Sequence, residues 1–252
     1  MIPIKDNIPN DRFPVVTVAL ILANIVVYVL AISHGGSLIS GPDTHEIVRY
    51  GAIPYALTHP GIRCGLVSAT ALGCGHLHRG LPTWETVLTA MFIHASILHI
   101  AGNLLFLWIF GNTVEDAMGP VRFLAFYIAG GVAALALQVA IDPNAVVPTI
   151  GASGAIAAVL GGYVVLYPRA RVLTLVLLVF FFGVIEVPAL VMLGLWFAEQ
   201  AVFGAAGLTT PAGDGGGVAY FAHIGGFIFG LLAIRVLATR RTPTPPTAAA
   251  YR

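Results

Sequence analysis

Charged side chains are scarce in this chain of 252 residues, only 9% of which are Asp, Glu, Lys or Arg. Soluble domains carry about 25% charged residues, so these charges are too few to cover a water-exposed surface. The net charge is only +1, which argues against a nucleic-acid partner. Hydrophobic residues make up 58% of the chain, and several apolar runs approach the roughly 20 residues needed to cross a bilayer. We therefore predict an all-α membrane protein.

Apolar runs and helix-breaking residues divide the chain into predicted membrane spans. The first run exceeds the roughly 7–15 residues of a signal-peptide core, so we predict that it remains as a span. Residues 172–206 are too many for one span and too few for two, so 172–185 are predicted to be interfacial or re-entrant. The six predicted spans are 14–33, about 86–110, 121–141, about 150–167, 186–206 and about 218–237.

This topology predicts the domain organisation and the orientation. Residues 1–13 form a cytoplasmic segment, 14–238 the membrane domain with an extracytoplasmic loop at 35–84, and 239–252 a disordered cytoplasmic tail. Nine of the 12 Lys and Arg residues then lie on the inner side, as the positive-inside rule requires. The short loops suit a bacterial plasma membrane.

Polar side chains within the spans are the candidate functional residues, because they are costly in a membrane. Ser153 and His223 lie five or six residues into the fourth and last spans, which both run inward if 172–206 crosses once. Ser153 is a candidate nucleophile and His223 its general base. The alternative for Ser153 is small-residue packing, and for the histidine a satisfied buried polar group.

Small residues predict that these two helices approach closely. Gly226 and Gly230 form a GxxxG face on the last span. A matching surface on the fourth span consists of Gly154, Ala158, Gly161 and Gly162.

The second span carries His94, His99 and Asn103. His99 and Asn103 lie about 40° apart on a helix, so they share a face and are candidate oxyanion donors with the Ser153 backbone N–H. His94 lies about 140° from His99 and is predicted to hold the outer loop. No carboxylate obviously orients His223, since the direction of Glu199 is open, so we favour a Ser–His dyad over a triad.

Four motifs in this order resemble the rhomboid family of intramembrane serine proteases: "HASILHIAGN", "GNTVEDAMG", "GASG" and "AHIGGFIFG". The resemblance implies a six-helix core that needs no metal or cofactor. It assigns Ser153 as nucleophile, His223 as base and His99 with Asn103 as the oxyanion region. His94 matches a structural histidine, and Glu115 lies in a motif resembling the turn after the second span.

The resemblance also implies that transmembrane substrates enter sideways past the fifth helix and are cut near small residues. The gate would include Trp196 and Phe197, and "GDGGG" at 213–217 would belong to a flexible cap. One departure concerns the outer loop, where the family often has Trp-Arg. Here Trp84 is followed by Glu85, which bears on how the loop docks at the membrane.

The only two cysteines, Cys64 and Cys74, lie in the predicted outer loop. A disulfide is one interpretation. A zinc site with His76 and His78 is another, although its spacing matches no standard pattern, and free thiols are the third.

We therefore predict an intramembrane serine endopeptidase whose partners are transmembrane protein substrates and the lipid bilayer. One alternative is a catalytically inactive rhomboid-like protein that binds transmembrane clients. Another is a transporter with a histidine proton relay, which the lack of repeats and of an intramembrane acid chain disfavours.

Overall fold

The computed structural model describes residues 2–68, 71–76, 81–178, 181–207 and 218–239. Five helices in these ranges are long and apolar enough to cross a membrane, and a sixth apolar helix is shorter. The predicted membrane bundle of six helices is thereby confirmed. The helices are α1 (Val15–Ser33), α2 (Thr44–Tyr50), α3 (Pro54–Thr58), α4 (Thr86–Thr89), α5 (Ile97–Phe106), α6 (Asn112–Met118), α7 (Pro120–Ile141), α8 (Ser153–Leu166), α9 (Ala189–Gly207) and α10 (Tyr220–Leu237).

Short strands accompany the helices. They are β1 (Ile2–Asp6), β2 (Gly36–Ser37), β3 (Gly41–Pro42), β4 (Arg63–Leu66), β5 (Leu72–Gly75), β6 (Arg171–Leu178) and β7 (Phe181–Pro188).

Helix α8 is the centre of the bundle. Residues from Gly154 to Tyr163 are all buried, as expected of a helix that is apolar on every side. Its principal neighbours are α10 and α7. With 14 residues it is roughly 21 Å long, shorter than a bilayer core of about 30 Å. Its first residue, Ser153, can therefore lie below the membrane surface. We call the end of the bundle at which α8 begins the serine end.

The second span differs from its prediction over 86–110. Residues Thr86–Thr89 form the short helix α4, a 3₁₀ turn follows at Ala90–Phe92, and Ile93 is extended. The continuous helix runs only from Ile97 to Met118, through a π-helical turn at Leu107–Gly111. Ser96 starts this helix because its Oγ accepts the backbone N–H of His99. Because the residues on both sides of Ser96 are apolar, a hydropathy pattern does not show that the helix is interrupted before this cap.

The turn expected around Glu115 after the second span is not found there, because Glu115 and the next residue, Asp116, are helical. Both residues lie in α6 and are buried. The helix ends at Gly119, whose φ of +81° favours glycine, and Pro120 starts α7.

The stretch predicted as interfacial or re-entrant, 172–185, belongs to a β-hairpin that an all-α prediction does not include. Strand β6 pairs antiparallel with β7 on one side and with β1 on the other. Val172, Thr174 and Val176 are buried on one face of β6, in the alternation typical of a strand. Residues 186–188 complete β7, so the helix of the predicted fifth span begins at Ala189, and α9 is the single long helix described between α8 and α10.

The described residues of the loop predicted at 35–84 form helices and short strands at the serine end. Val48, Ile53 and Ala56 of the α2–α3 region pack against Cys64, Leu66 and Leu72 of the β4–β5 hairpin. Between the two helices, Ala52 exchanges two backbone hydrogen bonds with Thr149, four residues before Ser153. This loop therefore supports the segment that leads into α8. The predicted tail lies outside the described residues from position 240 onward.

Candidate active site

Ser153 is the first residue of α8, and the segment before it is held from two sides. The backbone N–H of Gly151 donates to the carbonyl of Ala90 at 2.8 Å, while Thr149 pairs with Ala52. Gly151 has a φ of +107°, a conformation that side chains disfavour. Because the first N–H groups of a helix have no intrahelical acceptor, the Ser153 N–H is available to an anion.

His223 lies on α10 with its Nε2 atom 2.7 Å from the Oγ atom of Ser153. The packing of α10 on α8 explains this approach. A Cβ on Gly226 would collide with the carbonyl oxygen of Gly154, and a Cβ on Gly230 with that of Ala158. The structure thus brings together the two glycine-rich surfaces that the sequence predicts to meet.

The opposite nitrogen of His223 has a partner that sequence reasoning missed. Its Nδ1 atom lies 2.7 Å from Oε1 of Gln200 on α9, and Gln200 is only 6% exposed. An amide oxygen can only accept, so Nδ1 carries the proton and Nε2 keeps a lone pair toward Ser153. Glu199, whose direction the sequence leaves open, is exposed. The sequence feature that could have identified Gln200 is a polar amide within an otherwise apolar span.

His99 and Asn103 share one face of α5, as predicted, and this face borders Gly151. Nδ1 of His99 accepts the backbone N–H of Ala95 at 3.3 Å, which leaves the ring proton on Nε2. A Cβ on Gly151 would lie 2.7 Å from this Nε2 and 3.8 Å from Nδ2 of Asn103. The side-chain N–H groups of His99 and Asn103 therefore lie beside Gly151, two residues before Ser153.

This arrangement of a serine and a histidine on packed membrane helices has known counterparts. A family model described as the rhomboid domain matches residues 82–240, which is more than half of the chain. The chain belongs to the rhomboid family. The matched range includes Ser153, His223, His99, Asn103 and Gln200.

Individual relatives agree with this assignment. Rhomboid protease GluP from Bacillus subtilis (strain 168) is 30% identical over 227 residues, covering 89% of this chain and 35% of that protein. Rhomboid protein 1, mitochondrial, from Saccharomyces cerevisiae is 33% identical over 153 residues, covering 58% and 40%. Rhomboid-like protein 11, chloroplastic, from Arabidopsis thaliana is 39% identical over 82 residues, covering 32% and 29%. The chain therefore spans about a third of the length of these relatives.

The predicted angle of about 140° between His94 and His99 assumes that both residues lie on one helix. His94 of this rhomboid domain is not in a helix. It precedes α5, is fully buried, and packs its ring edge-on against that of His99 at a centroid distance of 5.0 Å. Nδ1 contacts the carbonyl of Phe92, and Nε2 accepts the N–H of Ala152 at 3.4 Å. His94 thus contacts the residue before Ser153, in addition to its own loop.

Glu115 lies at the other end of the rhomboid bundle, far along the chain from the residues that it binds. Its carboxylate accepts the backbone N–H groups of Val16 and Thr17 at 2.9 and 2.7 Å, and the Thr17 hydroxyl at 2.8 Å. These N–H groups belong to the first turn of α1, where a negative charge is favourable. Glu115 therefore joins the start of α1 to α6.

The predicted gate residues pack inward. The ring of Trp196 lies 5.7 Å from that of His223, and Phe197 stacks on Phe227 of α10 at 4.7 Å. Trp84 is 68% exposed in a 3₁₀ turn before α4. The predicted cap at 213–217 lies outside the described residues.

Cys64 and Cys74 face each other across the β4–β5 hairpin and are joined by a disulfide bond. A disulfide leaves no thiolate for a metal, which removes the basis for a zinc site with His76. His78, the fourth suggested ligand, lies outside the described residues. Among the residues that the structure describes, no group of three His, Cys, Asp or Glu side chains could hold a metal ion.

Proposed function

We propose that this rhomboid protein is a serine endopeptidase that cleaves transmembrane protein substrates within the membrane. The observation that carries the proposal is the 2.7 Å contact between Oγ of Ser153 and Nε2 of His223. A serine hydroxyl becomes a competent nucleophile when a base accepts its proton, and this distance is within the range for that transfer.

In the proposed reaction, the Ser153 oxygen attacks the scissile carbonyl carbon while its proton passes to Nε2 of His223. The resulting oxyanion accepts hydrogen bonds from the Ser153 backbone N–H and from the side chains of His99 and Asn103. When the C–N bond breaks, His223 returns the proton to the leaving amine. Water then hydrolyses the acyl-enzyme with His223 again as base, which regenerates the free serine.

A small recess beside Ser153 supports a preference for small side chains at the cleaved bond. It has a volume of about 30 Å³ and its lining includes Gly154, Ala134 and Ala222. A space of this size holds about one water molecule or methyl group. An alanine or glycine before the scissile bond therefore fits, whereas a leucine requires the lining to move.

The proposed orientation has the serine end facing the outer side of a bacterial plasma membrane, with both termini cytoplasmic. Support comes from the disulfide between Cys64 and Cys74, which lies at the serine end. Disulfides persist in oxidising compartments. Thiol labelling of single-cysteine variants in intact cells, placed in the α2–α3 region and at Glu186, would test this orientation.

Cleavage of a model transmembrane substrate by the purified full-length protein tests the proposed activity. Wild type is expected to release both fragments, whereas Ser153→Ala and His223→Ala leave the substrate intact and remain folded by circular dichroism. Undiminished cleavage by folded Ser153→Ala would refute the proposal. Binding of the substrate without cleavage by wild type would favour the client-binding alternative.

A further inference from the structure

Gln200 is the only described side chain that an observed hydrogen bond connects to Nδ1 of His223. We propose that Gln200 is a positioning residue that fixes the tautomer and the ring orientation of His223. This inference rests on the proposed protease function and adds a third residue to the Ser–His pair. In the described hydrogen bonds Gln200 is linked to His223 and His223 to Ser153, so the effect of Gln200 is transmitted through the imidazole.

The polarity of the Gln200 bond decides which nitrogen can act as a base. With Oε1 as acceptor, the single proton of neutral imidazole lies on Nδ1, and Nε2 faces the serine hydroxyl with a lone pair. Without an acceptor at Nδ1, the ring gains freedom to rotate and to place its proton on Nε2. A ring in that state donates to Ser153 and cannot accept its proton.

An amide is suited to this position because it accepts a hydrogen bond without adding a charge to the bundle. Gln200 is buried on α9, where an ionised carboxylate would lose its hydration. Among the residues that the structure describes, the side chains in contact with His223 carry no permanent charge. Ser153 faces it from α8 and Trp196 from α9, His99 of α5 is the titratable neighbour, and Gln138 of α7 binds the adjacent Ala222 N–H.

The neighbouring elements hold Gln200 in a defined position. One turn earlier on α9, Trp196 packs against both His223 and Phe227. One turn later, Gly204 lets Tyr220 and Phe221 of α10 approach closely. Helix α9 therefore packs on α10 one turn before and one turn after Gln200, on both sides of the contact between the amide and the imidazole.

The test compares three substitutions at Gln200 with a matched control on the same helix. Gln200→Met keeps the approximate length and removes the acceptor, and Gln200→Ala removes the side chain. Gln200→Glu keeps an acceptor and adds a charge. Glu199→Gln changes the exposed neighbour, so it controls for altered charge on α9 without touching His223.

Substrate cleavage is measured for each full-length variant between about pH 5 and pH 9, together with the rate of labelling by a fluorophosphonate. Gln200→Met and Gln200→Ala are expected to lower kcat about 10- to 100-fold with little change in KM. Gln200→Glu is expected to retain activity in alkaline buffer and to move the acid limb of the pH–rate profile upward by about one unit or more, since a carboxylate favours the imidazolium. Glu199→Gln is expected to follow wild type.

The outcomes separate this inference from the proposed function. If wild type is labelled and cleaves substrate while Gln200→Met and Gln200→Glu keep its kcat and pH profile, the positioning role is refuted and the protease function stands. If every Gln200 variant loses thermal stability in parallel with activity and Gln200→Glu restores nothing at alkaline pH, the role is structural and the inference is likewise refuted. If wild type neither cleaves nor reacts, the proposed function itself fails.

Discussion

Gly226 of α10 packs directly against the carbonyl oxygen of Gly154 in α8, with no room for a Cβ atom between them. Gly154 follows Ser153 in the chain, and Gly226 lies three residues after His223. This backbone contact therefore determines the separation of the two side chains, which is 2.7 Å between Oγ and Nε2.

Gly226→Ala is expected to lower activity strongly because the added methyl group pushes α10 away from α8. Overpacking of this kind costs about 1–3 kcal/mol of stability. The measurement is substrate cleavage together with thermal unfolding in detergent. Gly194→Ala on α9 is the matched control, since a Cβ there meets nothing within 4 Å. Wild-type cleavage by Gly226→Ala would show that this contact does not determine the catalytic distance.

Much of this geometry is predictable from sequence because its signals are local. The GxxxG spacing around Gly226 and the similar depths of Ser153 and His223 need only helical periodicity and the correct number of crossings. That number depends on 172–206, where the hairpin occupies the first part and α9 is the single long helix described between α8 and α10. The hairpin itself was missed because periodicity alone does not distinguish a continuous apolar run in a buried strand from one in a buried helix.

The contact of Gln200 with His223 and the break of the second span at Ile93 could not be predicted from the sequence. The reason differs from the one that hid the hairpin. Which side of α9 faces His223 depends on packing against α10, and a helix that is apolar on most sides gives no direction. The extended segment before Ser96 is stabilised by tertiary contacts, including the hydrogen bond from Ala152 to His94. Hydropathy registers apolar residues on both sides of that segment and predicts an unbroken helix.

Asn103→Ala is expected to lower kcat by about 100-fold while leaving KM nearly unchanged, because an oxyanion donor acts mainly in the transition state. The measurement is steady-state cleavage of a reconstituted transmembrane substrate. Asn103 also donates to the carbonyl of His99 at 3.0 Å, so thermal unfolding must be compared as a control for folding. A variant that raises KM alone would place Asn103 in substrate binding instead.

Asp6 lies at the end of the bundle opposite Ser153 and is expected to make the free energy of unfolding depend on pH. Burial raises the pKa of Asp6 to about 6, despite hydrogen bonds from Tyr163 and Thr113 at 2.9 Å that oppose the shift. The folded state therefore holds a proton that the unfolded state releases at lower pH, and stability falls as pH rises from about 4 to about 6.

Asp6→Asn removes this titration and keeps an oxygen that accepts from both hydroxyl groups. The stability of Asp6→Asn relative to wild type is expected to increase by about 3 kcal/mol between pH 4 and pH 7, from a shift of about two pKa units. Thermal or denaturant unfolding across this range measures the difference. A difference that is constant with pH would contradict the assignment.

The disulfide between Cys64 and Cys74 is expected to support catalysis indirectly. It closes a hairpin that packs on the α2–α3 region, and Ala52 of that region pairs with Thr149. The double variant Cys64→Ser/Cys74→Ser should lose about 2–3 kcal/mol of stability, the scale for closing a loop of this length. Cleavage assays with and without reductant measure the effect on activity. A reductant should affect wild type only, and an equal response of the double variant would exclude the disulfide as its cause.

The most direct test of the account is covalent labelling by a fluorophosphonate, followed by peptide mapping. A serine activated by His223 is expected to form an adduct on Ser153 in wild type, a much weaker one in His223→Ala, and none in folded Ser153→Ala. Adducts on Ser153 that form at the same rate in wild type and in His223→Ala, or a folded wild-type protein that remains unlabelled, would contradict the claim that these two residues act as a catalytic pair.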